Sequence, residues 1–439
     1  MHLDDTRPGW PAHRTTTRPW RSSGRPPRAD RMVRSVRCSL PPRIADRTWT
    51  PSSDTAGLVS RVADRLADLD RRLGDRTATF DLLLARTEAV SSSRIEDEHA
   101  TLDDYARALV GIRANGSATA MVGATAALRA MIDDAGQGGI TERSVLDAHA
   151  VLMRDDPVDG PEAGRWRQVQ NWIGGGASPR DAAYVPPPAD DVPDAMDDLF
   201  AFLDRDDLDP VVQAAIAHAQ FESVHPFTDG NGRVGRALVN AVLRRRGLTS
   251  SLVVPVAAAL VADRAGYFAE LVRYRDGHVD GVVRLVAAAI GTVCDEVEYA
   301  ALRLDELERD RAAVHHSGPG SRVAHDSTVL RVLLADPVLT EAAITAALPP
   351  DLPWTDAVID ELVDAGVLRP VTERRRDRAW VASDVLAELD ALAERIRAAA
   401  VPTPGQAGPR QAGPRQAGPR QVGPAAAVPE PGRASILSA

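Results

Sequence analysis

Lysine is missing from this 439-residue sequence, so arginine supplies all of the permanent positive charge. Without lysine, the chain can form neither the G-x-x-x-x-G-K-[ST] phosphate loop nor the strand lysine of a protein kinase. Cysteine is scarce: Cys38 and Cys294 stand alone, which argues against a disulfide framework and a cysteine-based metal site. No apolar run reaches about 18 residues, so we expect a reduced, cytoplasmic protein without a membrane-spanning helix.

Basic residues are also outnumbered, 52 against 62 acidic residues, which gives a formal net charge of −10. A globally acidic chain is poorly suited to non-specific nucleic-acid binding, although a local basic patch remains compatible with it. The hydrophobic fraction of 44% and the charged fraction of 26% are ordinary for a globular protein. The length predicts two to three domains.

The two ends of the chain differ in composition from its middle. Residues 1–50 are rich in Arg, Pro, Ser and Thr and have few aliphatic side chains, so we predict that they are disordered. Met32 offers an alternative translation start, which leaves open whether residues 1–31 are made. Residues 399–439 repeat QAGPR three times, a low-complexity pattern that predicts a disordered tail.

The middle of the chain has helical periodicity, which predicts a mainly α fold. Residues 51–110 form a predicted N-terminal helical segment, and residues 111–314 form the predicted core domain. Residues 164–188 interrupt the helices with Gly, Pro and aromatic residues, which predict a short β-hairpin followed by a proline-stiffened extension. One apolar face of the first helix is marked by residues three and four apart: Leu58, Val62, Leu66, Leu69 and Leu73.

A smaller unit follows a predicted linker at residues 315–322. Residues 323–398 contain three short helical patterns and two strand patterns around a charged tip, which predict a winged helix-turn-helix. Its basic tip, residues 374–378, could touch a nucleic-acid backbone. Protein contact or dimerisation is nevertheless favoured over DNA binding, because four acidic residues and no basic one lie on the candidate recognition helix: Asp356, Asp360, Glu361 and Asp364.

Residues 225–236, HPFTDGNGRVGR, bring one His, one Asp, three Gly and two Arg together in twelve positions. The GNGRVG within them matches the dinucleotide-binding pattern G-x-G-x-x-G, but that fingerprint follows a buried strand. Here both flanking patterns are helical. We therefore predict a glycine turn between two helices, whose exposed N–H groups and helix dipole form an anion hole.

The same stretch supplies what phosphoryl or nucleotidyl transfer requires. Arg233 and Arg236 are three residues apart and share a helix face near the anion hole, where two guanidinium groups suit a polyphosphate. Asp229 is an oxygen ligand placed to hold Mg²⁺ on phosphate oxygens. His225 can act as a general base toward a hydroxyl nucleophile.

This stretch resembles the motif of the Fic family, H-x-F-x-[DE]-G-N-G-R-x-x-R. Fic domains are helical, and most of them transfer AMP from ATP to a Ser, Thr or Tyr hydroxyl of a protein. The resemblance implies that His225 deprotonates that hydroxyl and that Asp229 binds a Mg²⁺ ion bridging the α- and β-phosphates. All eight fixed positions of the motif are matched, by His225, Phe227, Asp229, Gly230, Asn231, Gly232, Arg233 and Arg236.

The resemblance also assigns the phosphate contacts of ATP. Gly230, Asn231 and Gly232 would form the anion hole, with Asn231 near the α-phosphate. Arg233 would reach the β-phosphate and Arg236 the γ-phosphate.

Residues 91–98, SSSRIEDE, are similar to the inhibitory motif [ST]-x-x-x-E-[GN] of many Fic proteins. Ser92 and Glu96 fit that motif, whereas Asp97 stands where Gly or Asn is usual. The resemblance implies that Glu96 pairs with Arg236 and keeps the γ-phosphate of ATP from seating. An exposed carboxylate at a helix end is the alternative interpretation of Glu96.

Two further segments resemble Fic proteins. DRAGYFAELVRYR is similar to the segment that lines the adenine pocket, which points to Tyr267 and Phe268, with core packing as an equal alternative. Residues 164–175 look like the flap whose hairpin edge pairs with the target backbone. The flap residues expected to bind the target are Gln170, Asn171, Trp172, Ile173 and Gly174.

The sequence thus predicts a Fic-type helical bundle with a β-hairpin flap and a C-terminal winged helix-turn-helix. The predicted function is a protein adenylyltransferase restrained by Glu96, with ATP and Mg²⁺ bound at the site. An unknown protein is the expected target, with self-modification and a homodimer left open. The alternatives are a nucleotide-sensing DNA-binding regulator, an enzyme that removes AMP, and a transferase that uses another phosphorylated donor.

Overall fold

A computed structural model describes residues 9–21, 27–74, 77–111, 115–175, 178–314, 338–340, 356–364, 366–371 and 378–401. Most of these residues are helical, as the periodicity predicts. The helices are α1 (Arg28–Arg31), α2 (Ser53–Leu73), α3 (Thr77–Ile95), α4 (Leu102–Leu109), α5 (Gly116–Gln137), α6 (Glu142–Met153), α7 (Val192–Leu203), α8 (Pro210–Val224), α9 (Asn231–Arg245), α10 (Val256–Leu260), α11 (Arg264–Arg275), α12 (Asp280–Val314), α13 (Asp356–Asp364) and α14 (Ser383–Ala400).

Two small antiparallel sheets accompany the helices. Strands β1 (Arg14–Pro19) and β2 (Ser35–Leu40) form a two-stranded sheet in which Thr16 lies opposite Cys38. The second sheet has the order β3-β5-β4 and is formed by Val338–Thr340, Leu368–Pro370 and Ala379–Ala382, which we number β3, β4 and β5 in chain order.

The sheet of β1 and β2 contradicts the prediction of a disordered N-terminal segment. Val36 and Cys38 are buried on one face of β2, because alternate residues of a strand point to the same side. Trp10 and Ile44 are buried on either side of the hairpin, and Ile44 N–H donates to the Asp198 carboxylate at 2.6 Å. The segment is ordered by its contacts with the rest of the protein, and composition alone does not reveal such contacts.

Helices α8 and α9 pack against each other at the centre of the protein, and α3, α5 and α6 surround α9. Every residue of α8 from Val211 to Val224 is buried. A helix that is buried on all sides lacks the single apolar stripe of a surface helix. The short connection between α8 and α9 is residues 225–230, so the predicted glycine turn lies where two central helices meet.

Helix α3 brings residues 91–98 to the centre of the protein. It packs on α5, α9 and α10, and its last turn ends at Ile95, which is fully buried. Asp97 follows in the left-handed region with φ of 65°. The predicted inhibitory residues therefore lie against α9, the helix that begins with the glycine turn.

The C-terminal unit is described in part. Helix α14 packs on α12, α10 and α3, and the sheet of β3, β4 and β5 lies beside it. The winged helix-turn-helix stays a prediction, because two of its three helices, most of its tip and the linker at 315–322 lie outside the described residues. Within the described ranges, no helix combines the length and apolarity that a membrane crossing requires.

Candidate active site

The loop between α8 and α9 depends on two left-handed residues. His225 ends α8 with φ of 50°, and Gly230 precedes α9 with φ of 76°. A Cβ atom at Gly230 would lie 2.9 Å from Leu152 Cδ2 and 3.2 Å from Met153 Sδ. Glycine is therefore required at this position both for its backbone angle and for the space against α6.

Phe227 anchors the loop, as expected for a motif residue without reactive atoms. Its buried ring stacks on His149 of α6 with the ring centroids 3.6 Å apart. Gly164 N–H donates to His149 Nδ1 at 2.9 Å, so Nε2 carries the proton and donates to the Asp229 carbonyl at 3.1 Å. His149 thus connects α6, the flap segment and the catalytic loop, a role that sequence reasoning missed.

Asn231 closes the loop upon itself. Its Oδ1 accepts from Phe227 N–H at 2.8 Å, and its Nδ2 donates to the Phe227 carbonyl at 2.9 Å. Asn231 therefore has both ends of its side chain engaged within the loop. Its contribution to an anion hole would come from the backbone, where the first N–H groups of α9 lack intrahelical partners.

The Glu96 carboxylate lies over this end of α9. A Cβ atom at Gly232 would stand 2.0 Å from Glu96 Oε1, so the carboxylate touches the helix at its second residue. A negative charge is stabilised there by the helix dipole and the free N–H groups. The Glu96 carboxylate therefore lies against the helix end at which the sequence predicts an anion hole.

Arg236 forms hydrogen bonds with both predicted inhibitory residues, Ser92 and Glu96. Its Nη2 donates to Glu96 Oε1 at 2.8 Å and to the Ser92 carbonyl at 3.0 Å, while Nε donates to Ser92 Oγ at 2.8 Å. Burial alone lowers the pKa of Arg236, but Glu96 and neighbouring acidic groups raise it above its ordinary value. The guanidinium group is 1% exposed and remains charged.

Two more carboxylates are buried close to Arg236. Burial raises the pKa of Glu222 on α8 to about 7 and that of Glu88 on α3 to about 8. Glu88 accepts from Ala257 N–H at 2.7 Å and shares one helix face with Ser92 and Glu96, since the three are four residues apart. Sequence reasoning missed Glu88, although this spacing could have revealed it.

Arg233 and Asp229 pair with each other. Arg233 Nη2 donates to Asp229 Oδ2 at 2.9 Å, and the Asp229 side chain is 23% exposed. The sequence assigned these residues to phosphate and to Mg²⁺ separately. In the structure they form one ion pair at the mouth of the loop.

His225 is held in the neutral form. Burial, followed by the charges of Arg167 and Arg275, lowers the pKa of His225 to about 3. Arg167 is itself buried, and its Nε donates to the His225 carbonyl at 2.9 Å. A neutral imidazole can accept a proton, which a general base requires.

The flap lies beside His225. Asn171 Nδ2 is 3.4 Å from His225 Nδ1 and donates to the Phe227 carbonyl at 2.8 Å. Ile173 N–H donates to the Tyr184 carbonyl at 2.8 Å, which closes a single antiparallel bridge. Gly174 follows with φ of 73°. The predicted flap residues and the catalytic loop are thus brought together.

The predicted adenine-pocket residues differ in position. Tyr267 is 1% exposed, and its hydroxyl lies 3.0 Å from His218 Nε2, so core packing, the alternative interpretation, describes it. Phe268 is half-buried, with the Arg264 guanidinium 5.7 Å from its ring centre. Of these two residues, only Phe268 has an aromatic ring that is accessible to a ligand.

Asp97, the departure from the inhibitory motif, has a partner of its own. Arg264 at the start of α11 forms two hydrogen bonds to the Asp97 carboxylate, one of them 2.9 Å between Nη2 and Oδ2. The Arg264 bond and charge lower the pKa of Asp97. An Asp at this position therefore ties the segment after α3 to α11 through an ion pair, which neither Gly nor Asn can form.

Comparison with known proteins defines the class of this site. Residues 139–243 match the Fic/DOC family model, and they include α6, α8, most of α9 and the entire glycine turn. The chain therefore contains a Fic domain with a mainly helical Fic fold, and the resemblance of residues 225–236 is confirmed.

The relatives are named for one activity. Over 165 residues the chain is 34% identical to protein adenylyltransferase fic-1 of Caenorhabditis elegans, covering 35% of this chain and 30% of that protein. Over 152 residues it is 32% identical to protein adenylyltransferase Fic of Nematostella vectensis, covering 34% and 32%. The chain thus spans about a third of the length of the curated relatives it matches.

A solved structure of a Fic family protein from Desulfovibrio desulfuricans G20 is also similar. It is 22% identical to this chain with a TM-score of 0.48, and the match covers 76% of this chain and 97% of that one. A structure of Fic-1 from C. elegans is 25% identical with a TM-score of 0.43 and covers 55% and 71%.

Proposed function

We propose that this protein is a protein adenylyltransferase that transfers AMP from ATP to a Ser, Thr or Tyr hydroxyl of a protein. The observation that carries the proposal is the position of His225 at the end of α8, next to the N-terminus of α9 and its two arginines. A base, an anion-binding helix end and guanidinium groups are what a nucleotidyl transfer requires. The adenylyltransferase names of the relatives support the same activity.

The reaction follows from the position of these groups. The target hydroxyl would approach along the flap, lose its proton to the His225 imidazole and attack the α-phosphorus. The bond from the α-phosphorus to the bridging oxygen then breaks, and pyrophosphate leaves. Arg233 would neutralise charge on the leaving phosphates, because its guanidinium group lies at the mouth of the loop.

Asp229 fits a magnesium site. It is a partly exposed carboxylate beside the anion hole, and Mg²⁺ in nucleotide sites is usually held by one or two carboxylates together with phosphate oxygens. Mg²⁺ would offset charge on the α- and β-phosphates. Releasing Asp229 for this role requires Arg233 to exchange its carboxylate partner for phosphate.

We further propose that Glu96 restrains the transfer. Its carboxylate lies against the N-terminus of α9 and accepts a hydrogen bond from Arg236. Both groups are assigned to phosphate in the proposed reaction. ATP, through its γ-phosphate, and Glu96 would then compete for the Arg236 guanidinium group. Asp97 and Glu88 would hold Glu96 in place from either side, since both bind groups outside α3.

The proposal is tested by incubating the full-length protein with Mg²⁺ and ATP labelled at either the α- or the γ-phosphate. We expect covalent label from the α position only, more of it in Glu96→Gly and none in His225→Ala. Label from the γ position would instead show phosphoryl transfer. If ATP binds but neither label is transferred to the protein or to lysate proteins, the adenylyltransferase proposal is wrong.

The finer predictions remain proposals of the same kind. We propose a cytoplasmic protein with a winged helix-turn-helix at its C-terminus, and α13, α14 and the sheet of β3, β4 and β5 support that architecture. DNA reading is disfavoured by the acidic residues of α13, Asp356, Asp360 and Asp364. A role in protein contact or dimerisation is proposed instead.

A further inference from the structure

The N-terminal hairpin continues the flap. Ser39 N–H of β2 donates to the Val185 carbonyl at 2.8 Å, and the preceding residue, Tyr184, forms the bridge to Ile173 of the flap. β1 then pairs with the other side of β2. Extended chain therefore runs from the flap through residues 184–185 to β2 and β1 as one surface.

A second contact lies closer to the catalytic base. The rings of Trp20, just after β1, and Trp172 of the flap meet edge to face with centroids 5.4 Å apart. Trp172 follows Asn171, whose amide nitrogen lies 3.4 Å from His225 Nδ1. A protein segment that places a hydroxyl at His225 along the flap would therefore pass near the hairpin.

The hairpin has a charge opposite to that of the whole protein. Its described residues, 9–21 and 27–50, contain nine Arg and two Asp, a formal charge of +7, while the chain carries −10. We define the basic hairpin surface as the three exposed arginines that share the Trp20 face of the sheet and form no ion pair with any described residue: Arg14, Arg18 and Arg34.

We propose that the basic hairpin surface binds an acidic segment of the target protein, next to the hydroxyl that the flap presents to His225. This inference rests on the proposed function for the identity of the reaction. Its own support is charge complementarity and the continuity of the hairpin with the flap. Exposed charges of one sign attract an oppositely charged partner and orient it before contact.

A protein segment suits this surface better than a nucleic acid does. Proteins that bind single strands offer exposed aromatic faces for base stacking, but Trp20 and Trp172 pack against each other. The part of the chain outside the hairpin carries a net negative charge, which repels a long polyanion. A short acidic segment would meet only the basic hairpin surface.

The test is the binding of two fluorescein-labelled peptides to full-length protein without ATP, followed by fluorescence anisotropy. One peptide has a central Thr flanked by Asp and Glu, and the other has Asn and Gln at those positions. The test variant is Arg14→Gln/Arg18→Gln/Arg34→Gln. The matched control is Arg61→Gln/Arg71→Gln/Arg397→Gln, which removes the same charge from exposed positions on α2 and α14.

We expect the acidic peptide to bind more tightly than the neutral one, and the test variant to weaken its binding about tenfold. Added salt should weaken the same binding, whereas the control variant should bind as the wild type does. Replacing the same three arginines with lysine should retain the binding, which separates lost charge from lost structure.

Equal binding of the two peptides, or unchanged binding by the test variant, would overturn the proposal. Tighter binding of a single-stranded oligonucleotide of equal charge would also overturn it and assign the surface to nucleic acid. Because anisotropy needs no transfer, a failure here is distinct from a failure of label transfer by the wild-type protein.

Discussion

Arg236 of the active site and Arg37 of the hairpin carry the same charge in opposite surroundings. Arg236 is 1% exposed and is held by Ser92 of α3 and by Glu96 just after that helix. Arg37 is exposed on β2 and forms no ion pair with a described residue. The first arginine is fully engaged by residues of the protein itself. The second remains available to any acidic partner in solution.

The contrast has an energetic basis. A charge buried away from water is strongly destabilising unless a partner compensates it, so Arg236 must always be paired. An exposed charge is solvated and screened, so Arg37 contributes little to stability either way. Under the proposed function, ATP would therefore displace Glu96 only by supplying a replacement anion to Arg236.

The largest expected effect is on stability. Arg236→Ala should lower the free energy of unfolding by about 3 kcal/mol, since it leaves Glu96 and the Ser92 carbonyl without their partner and opens a cavity in the interior. Arg37→Gln should change that free energy by less than about 0.5 kcal/mol. Urea denaturation of both variants checks the comparison. An equal loss of unfolding free energy in the two variants would show that burial does not decide how much each arginine contributes to stability.

The pH dependence of transfer is the next expected effect. With the pKa of His225 lowered to about 3, the imidazole stays neutral, so the initial rate of AMP transfer should not fall between about pH 8 and pH 5.5 through titration of this group. Arg275→Gln removes one cause of the lowered pKa and serves as the comparison, since ATP titrates equally in both proteins. A wild-type midpoint near the ordinary histidine pKa, unmoved by Arg275→Gln, would contradict this account.

The same lowered pKa has a consequence for stability. The unfolded chain binds a proton at His225 below its ordinary pKa of 6.5, whereas the folded protein does so only near about pH 3. This group therefore stabilises the fold fully above about pH 6.5, and that contribution is lost as the pH falls toward 3.

The smallest expected effect concerns the pair of Asp97 and Arg264. Asp97→Asn keeps a residue that tolerates the left-handed backbone but removes the ion pair, whose partners are 55% and 28% exposed. We expect a rise in AMP transfer of about two- to fivefold, because partly exposed pairs contribute less than about 1 kcal/mol. Label transfer checks this. Transfer equal to that of the wild type would show that Asp97 does not hold Glu96.

Local patterns predicted the parts of the protein that are contiguous in sequence. The glycine turn, its flanking helices and the contact between Glu96 and Arg236 all follow from two short motifs. These motifs are readable because their residues act through fixed spacing along one loop or one helix.

Contacts made across the fold could not be predicted in the same way. His149 and Arg167 bind backbone carbonyls far away in sequence, and nothing near either residue marks those partners. The hairpin was wrongly predicted as disordered because its composition is polar. The alternation of Val36, Cys38 and Leu40 was the only local signal of a strand, and it is short.

The central claim is that Glu96 occupies the place of the γ-phosphate on Arg236. Calorimetric titration of wild type and Glu96→Gly with ATP and with ADP, each with Mg²⁺, tests it most directly. We predict that the wild type binds ATP no more tightly than ADP, because the γ-phosphate has no free cation. Glu96→Gly should bind ATP about tenfold more tightly than ADP, as expected for one charge-assisted contact. An equal preference for ATP over ADP in both proteins would contradict the claim.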